Sequence, residues 1–149
     1  MSRQNDEGQK AMRNEPAVVF YVDDNPRSRR LLTSVLEDSG FDVVTADSGI
    51  EALGMCKNIS FDIALIDYQM PLMSGEQLAE EIKVLKPDVP VVLLSGRISI
   101  PKEALVFVDA SLGPGTTLDD LLEKLRILAG VDSHIVGVQR SRIPWSDST

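Results

Sequence analysis

Phe61-Asp62-Ile63-Ala64-Leu65-Ile66-Asp67-Tyr68-Gln69-Met70-Pro71-Leu72-Met73-Ser74-Gly75 is the stretch that decides the fold. Its apolar run is too short for a helix and rich in branched residues, the pattern of a strand buried on both faces. The run stops at a carboxylate, Asp67, and a loop carrying Pro71 leads to Gly75, where a helical pattern begins. Open α/β sheets hold their ligands just beyond the carboxyl ends of such strands. Asp67 stands at that end. Packing alone does not ask for an acid there, although capping the following turn is a competing role for a strand-end Asp.

Working outward, Ala17 to Val22 is a second buried run, and it halts at Asp23-Asp24. Asn25-Pro26 opens a helix, with Pro26 where its missing N–H costs nothing. Leu31, Leu32, Val35 and Leu36 form its apolar stripe, Arg27, Arg29, Arg30, Glu37 and Asp38 lie largely off it, and Gly40 supplies the stop. Phe41 to Thr45 is a short strand, and Ser48 with Glu51 forms a capping box for the next helix, through Ala52, Leu53 and Cys56.

Downstream, Gly75 to Lys86 predicts a helix with Leu78, Ile82 and Leu85 inward, ended by Pro87. Val89 to Leu94 is a further buried strand, and it delivers Ser95-Gly96-Arg97 to the same sheet edge as Asp67. A short fourth helix is predicted around Lys102 to Phe107, and a weak fifth strand at Asp109 to Leu112. Thr116 or Thr117 caps a last helix with the stripe Leu118, Leu121, Leu122, Leu125 and Leu128, closed by Gly130. Five strands alternating with five helices give a doubly wound α/β fold, a parallel sheet covered on both faces through right-handed crossovers.

A chain of 149 residues holds one such domain, expected at residues 16–130 between a flexible polar tail (1–15) and a C-terminal tail (131–149). The C-terminal tail, with Trp145 and His134, reads as flexible or as an extension that binds a partner. The formal net charge of -8 argues against nucleic acid and anionic membranes as partners and favours cations or basic surfaces. Cys56 is the single cysteine, so neither an internal disulfide nor a thiolate metal cluster can form. No signal peptide or membrane span is read, and a soluble, cytoplasmic protein is expected.

Asp23, Asp24 and Asp67 therefore end strands on one sheet edge, with Ser95 nearby. Hard divalent cations such as Mg2+ take carboxylates, waters and phosphate oxygens, and the Gln69 backbone carbonyl offers a further oxygen. Without a cation, acids this close raise one another's pKa. As separate features each acid is a plausible turn former. Their convergence with Ser95 favours a metal site.

These residues resemble the response-regulator receiver domain of two-component signalling, over about residues 17 to 129. The resemblance is carried by Asp23-Asp24, by Asp67-x-x-Met70-Pro71-x-x-x-Gly75, and by Ser95-Gly96 after the fourth strand. It implies a flavodoxin-like sheet in the order 2-1-3-4-5, an order for which a receiver protein is a standard instance. It further implies that Asp67 is the phosphoacceptor, taking a phosphoryl group from a histidine kinase or phosphotransfer protein. Asp24 would bind Mg2+ directly, Asp23 largely through water, and Gln69 through its carbonyl, while Ser95 hydrogen-bonds a phosphoryl oxygen. Output would then pass to a downstream protein target, or to a second copy in a homodimer, through the fourth helix, fifth strand and fifth helix.

The chain departs from the family pattern at the fifth strand. The usual lysine is replaced by Gly113 or Pro114, and the switch aromatic by Ala110 or Ser111. A charge-assisted hydrogen bond is worth about 1.5–3 kcal/mol, so its loss should weaken the switch more than the metal site. Arg97, or less readily Lys102, is a candidate substitute cation, against the plainer reading of a solvated loop arginine. Two readings follow: a stand-alone regulator that accepts phosphate, and a phosphorylation-independent pseudo-receiver. Neither is an enzyme in the ordinary sense. A covalent phosphatase would want a second acid where Gln69 stands, and His134 is a poor replacement.

Overall fold

The computed structural model describes residues 15–131. The calls on the amino-terminal tail, on His134 and on Trp145 fall outside them. The elements are β1 (Val18–Val22), α1 (Pro26–Asp38), β2 (Asp42–Ala46), α2 (Gly49–Cys56), β3 (Ile63–Asp67), α3 (Gly75–Leu85), β4 (Val91–Leu94), a 3-10 helix (Lys102–Leu105), β5 (Ala110–Leu112) and α4 (Leu118–Ala129). All strand pairings are parallel and the order is β2-β1-β3-β4-β5. The doubly wound, flavodoxin-like architecture is as expected.

Strand alternation divides the core into two layers. Val19 and Tyr21 of β1, Ile63 and Leu65 of β3, and Val92 and Leu94 of β4 pack with Leu32 and Leu36 of α1 and with Leu118, Leu121, Leu122 and Leu125 of α4. Phe20, Val22, Ala64, Ile66, Val91 and Leu93 point the other way, against Ala52 and Cys56 of α2 and Leu78, Ala79 and Ile82 of α3. Burial on both faces is why the central strands read as continuous apolar runs.

Local signals set the helix starts. The Asn25 side chain accepts from the N–H groups of Arg27 and Ser28, with Pro26 following. Ser48 Oγ accepts from Glu51 N–H at 3.0 Å, but Glu51 Oε1 takes the N–H of Asp47, so the expected box is displaced by one residue on that side. Ser74 and Gln77 form a complete capping box on α3. Thr117, rather than Thr116, caps α4, and Gly130 closes it in the left-handed conformation with φ of 75°.

Three expectations need correction. The fourth helix is a single 3-10 turn, so the described residues hold four α-helices and not five. That segment offers barely one turn after Pro101, short of what helix nucleation requires, and β-branched Val106 and Val108 follow. Leu31 and Leu85 lie outside the core, 44% and 38% exposed, because Leu32 and Leu36, and Leu78 and Ile82, occupy the centres of their stripes. Finally, β4 begins at Val91 and not Val89: Pro90 has no N–H for the ladder, though its carbonyl still accepts from Ala64.

Candidate functional site

The register between β1 and β3 pairs Tyr21 with Leu65 and Val22 with Ile66, so one step further Asp23 stands beside Asp67. Asp24 follows at the start of the β1–α1 turn. Ligand oxygens from Asp23, Asp24 and Asp67 all lie within 4.8 Å of one another. The structure thus brings these three acids together at the carboxyl edge of the sheet.

The Asp67 carboxyl is pushed up to about 8, first by burial, then by the charge of Asp23; Asp24 raises it further, and the Gln69 N–H, 3.4 Å from Oδ1, lowers it. Asp23 is buried and also raised, mainly by desolvation, with hydrogen bonds from Tyr21 and from the Asn25 N–H acting against the rise. Negative charge in excess of local donors, on oxygen ligands alone, is what a hard divalent cation would relieve. The donor set fits Mg2+.

Two residues that the sequence reading passed over belong to this site. The buried Tyr21 hydroxyl donates to Asp23 Oδ2 at 2.6 Å, and burial together with Asp23 holds the phenol far above its usual range, so it stays protonated. Arg29 of α1 donates from Nη1 to the Asp23 carbonyl oxygen at 2.7 Å, and its charge lowers the Asp23 carboxyl. Arg29 is thus a cation held against the acids, whereas Arg97 and Lys102 are exposed. The legible signals were a phenol two residues before an acid on one strand, and a basic residue one helical turn beyond Asn25.

Ser95 is buried, but its hydroxyl is engaged within its own loop, donating to the Ile98 carbonyl at 2.7 Å and lying 3.3 Å from the Ile98 N–H. Gln69 is exposed at the rim. Gly113 and Pro114 follow β5 directly, and Ala110 and Ser111 lie within it, so no cation or aromatic ring enters from those positions. Cys56 is a core residue whose thiol is pushed up by burial.

Gly75 fixes the loop that carries Asp67. Its N–H donates to the Tyr68 carbonyl at 3.0 Å, and a Cβ there would fall 2.4 Å from the Asp67 carbonyl oxygen. Between them the loop tightens at Leu72, which has φ of 71° while Met73 N–H donates to the Pro71 carbonyl at 2.8 Å.

The raised Asp67 carboxyl has a pH consequence in metal-free protein. An unfolded Asp titrates near about 3.9, so between that pH and about 8 the folded state binds more protons than the unfolded one. The contribution is complete below the unfolded value and is lost as pH rises through the folded one. Melting temperature without Mg2+ should therefore fall across this window, and Asp67→Asn should flatten the fall and raise stability at the alkaline end. Thermal melts at stepped pH check both; an unaltered slope in the variant would contradict the assignment.

A parallel sheet in the order β2-β1-β3-β4-β5, with three acids clustered at its carboxyl edge, defines a doubly wound α/β protein. The family model described as "Response regulator receiver domain" matches residues 19–111. The chain is 39% identical over 90 residues to the transcriptional regulatory protein GlrR of Escherichia coli (strain K12), covering 60% of this chain and 20% of that protein. It is 33% identical over 119 residues to the sensor histidine kinase RcsC of Salmonella typhi, covering 78% of this chain and 13% of that one. Among solved structures, the response regulator protein TrrA of Thermotoga maritima, in complex with Mg(2+)-BeF, aligns with a TM-score of 0.70 at 31% identity, covering 75% of this chain and 98% of that one. The chain belongs to the response regulator receiver domain family, a signalling module of two-component systems. It spans a fifth or less of the curated relatives it matches. Among the described residues, no helix is long and apolar enough to cross a membrane.

Proposed function

We propose that this chain is a phosphoacceptor receiver in which Asp67 takes a phosphoryl group from the histidine of a kinase or phosphotransfer protein. An Asp67 carboxylate oxygen attacks phosphorus; a P–O bond forms as the donor's P–N bond breaks, and its electron pair leaves on the imidazole nitrogen. Asp24 and Asp67 would hold Mg2+ directly, Asp23 largely through water, and Gln69 through its carbonyl. Bound there, Mg2+ supplies positive charge against the oxygens of the transferring group. The observation that carries this reading is the meeting of Asp23, Asp24 and Asp67 within 4.8 Å. The complex of TrrA with Mg(2+)-BeF supports the choice of metal.

Ser95 would bond a phosphoryl oxygen after giving up the Ile98 carbonyl, and that exchange couples the pocket to the segment before β5. Output then passes through protein contacts on that segment, β5 and α4, to a downstream target or a second copy. Exposed Ile98, Val106 and Phe107 on the connection support a contact surface there. The stand-alone character of the regulator and its cytoplasmic location belong to the same proposal.

The test is a melt of the full chain with and without Mg2+. Mg2+ should raise the melting temperature of the wild type, and Asp24→Asn should remove most of the rise. A cation held only by the folded state stabilises it in proportion to RT ln(1 + [L]/Kd). No shift in either protein would count against the site.

Two observations favour the pseudo-receiver as a second reading. The Ser95 hydroxyl is already satisfied within its own loop, and Gly113 and Pro114 bring no cation to replace the lysine. In that reading the fold and metal persist while Asp67 stays unmodified.

A further inference from the structure

We propose that Tyr21 is a positioning residue of the acid site, its hydroxyl fixing the Asp23 carboxylate in the orientation that meets a divalent cation, largely through water. The proposal rests on the reading of Asp23, Asp24 and Asp67 as a Mg2+ site.

Ala17, Val19 and Tyr21 alternate along one face of β1, and Tyr21 is fully buried between Thr45 and Leu65 of the neighbouring strands. Packing there asks for an aromatic ring, and Phe would fill the same space. The hydroxyl adds no apolar burial and is unfavourable to desolvate unless it is paired. Its pairing is to Asp23, two residues on and so above the same face, at 2.6 Å to Oδ2.

The other carboxylate oxygen is held too. Asp23 Oδ1 accepts from the Asn25 N–H at 2.9 Å, so both oxygens carry a donor and the group is fixed in rotation. Arg29 Nη1 holds the Asp23 carbonyl, and the Tyr21 hydroxyl oxygen lies 3.4 Å from the Ser28 carbonyl oxygen, which ties this arrangement to α1. The lone pairs left on Asp23 are therefore aimed before any ligand arrives. Partners that orient metal ligands commonly matter ten- to a hundred-fold in affinity.

Calorimetric titration of Mg2+ into the full chain tests this with wild type, Tyr21→Phe, Asp23→Asn and the double variant, at a temperature where circular dichroism shows each folded. Tyr21→Phe should weaken Kd by about ten-fold or more, and the same change in the Asp23→Asn background should add nothing. A hydroxyl with a merely structural role would lower the melting temperature and leave the Kd of folded protein alone. An unchanged or tighter Kd in Tyr21→Phe, or an equal loss in the Asp23→Asn background, overturns the positioning role. If Tyr21→Phe melts too low to titrate, its Mg2+-induced rise in melting temperature is read instead; a rise equal to the wild type's overturns the role. A wild type that takes up no Mg2+ sinks the metal reading and this proposal together, before any substitution is made.

Discussion

Wild-type protein incubated with acetyl phosphate and Mg2+ should gain the mass of one phosphoryl group, and Asp67→Asn should gain none. Asp67 is the acid that closes the central strand, with its carboxylate facing Asp23 and Asp24. Nucleophilic attack requires the ionised form, yet without a cation the carboxyl is pushed up to about 8. Labelling should therefore depend on Mg2+ and, at low Mg2+, rise with pH towards that value. Absence of the fifth-strand lysine removes a charge-assisted contact of about 1.5–3 kcal/mol, so labelling should run roughly ten- to a hundred-fold slower than in a receiver that has it. Intact-mass spectrometry over time reads both presence and rate. Labelling that persists in Asp67→Asn would refute the acceptor, and an unlabelled wild type would favour the pseudo-receiver.

The second large effect is structural and acts on the same carboxylate. Gly75→Ala should destabilise the fold by about 1–3 kcal/mol or more, because the new Cβ meets backbone and not a flexible side chain. The atoms in its way are the Asp67 carbonyl oxygen at 2.4 Å and the Tyr68 Cα at 2.9 Å. Relief means moving either the end of β3, which displaces Asp67 from its neighbours, or the start of α3, which pulls on the loop that follows Asp67. Urea denaturation measures the loss, and Mg2+ protection of the variant should fall with it. A variant as stable as wild type would show that the loop can slide away from the helix, contrary to the close approach seen here.

Much of this was legible because the strongest signals are chemical absolutes. Continuous apolar runs ending in Asp23 and Asp67 read as central parallel strands, and Pro26, Gly40, Ser48 and Gly130 punctuate the helices near where they begin and end. The parallel alternation put the acids on one sheet edge, and the strand order implied by the resemblance set β1 beside β3, which brings those acids together. What escaped was contextual. Tyr21 is an apolar strand residue to any pattern, and only the fold shows its hydroxyl reaching Asp23. Arg29 sits off the stripe of α1 and reads as solvated, yet its guanidinium turns back to the strand end. The segment at Lys102 lies at the limit where α and 3-10 turns have nearly equal claims, and periodicity over so few residues does not choose between them.

Further along that connection, Asp109 Oδ2 accepts from the Val91 N–H at 2.8 Å and pairs with Lys83 Nζ at 2.7 Å, while Lys83 also donates to the Val89 carbonyl. The mouth of β4, the root of β5 and α3 are thereby moored at the end of the sheet remote from the acids. The loop from Ser95 onward is consequently a tether fastened at its far side by this ion pair, and at its near one by the Ser95 N–H on the Leu112 carbonyl at 2.9 Å and the Ser95 hydroxyl on Ile98. A tug on Ser95 would be absorbed as bending of that tether, where a long rigid helix would transmit it as a slide.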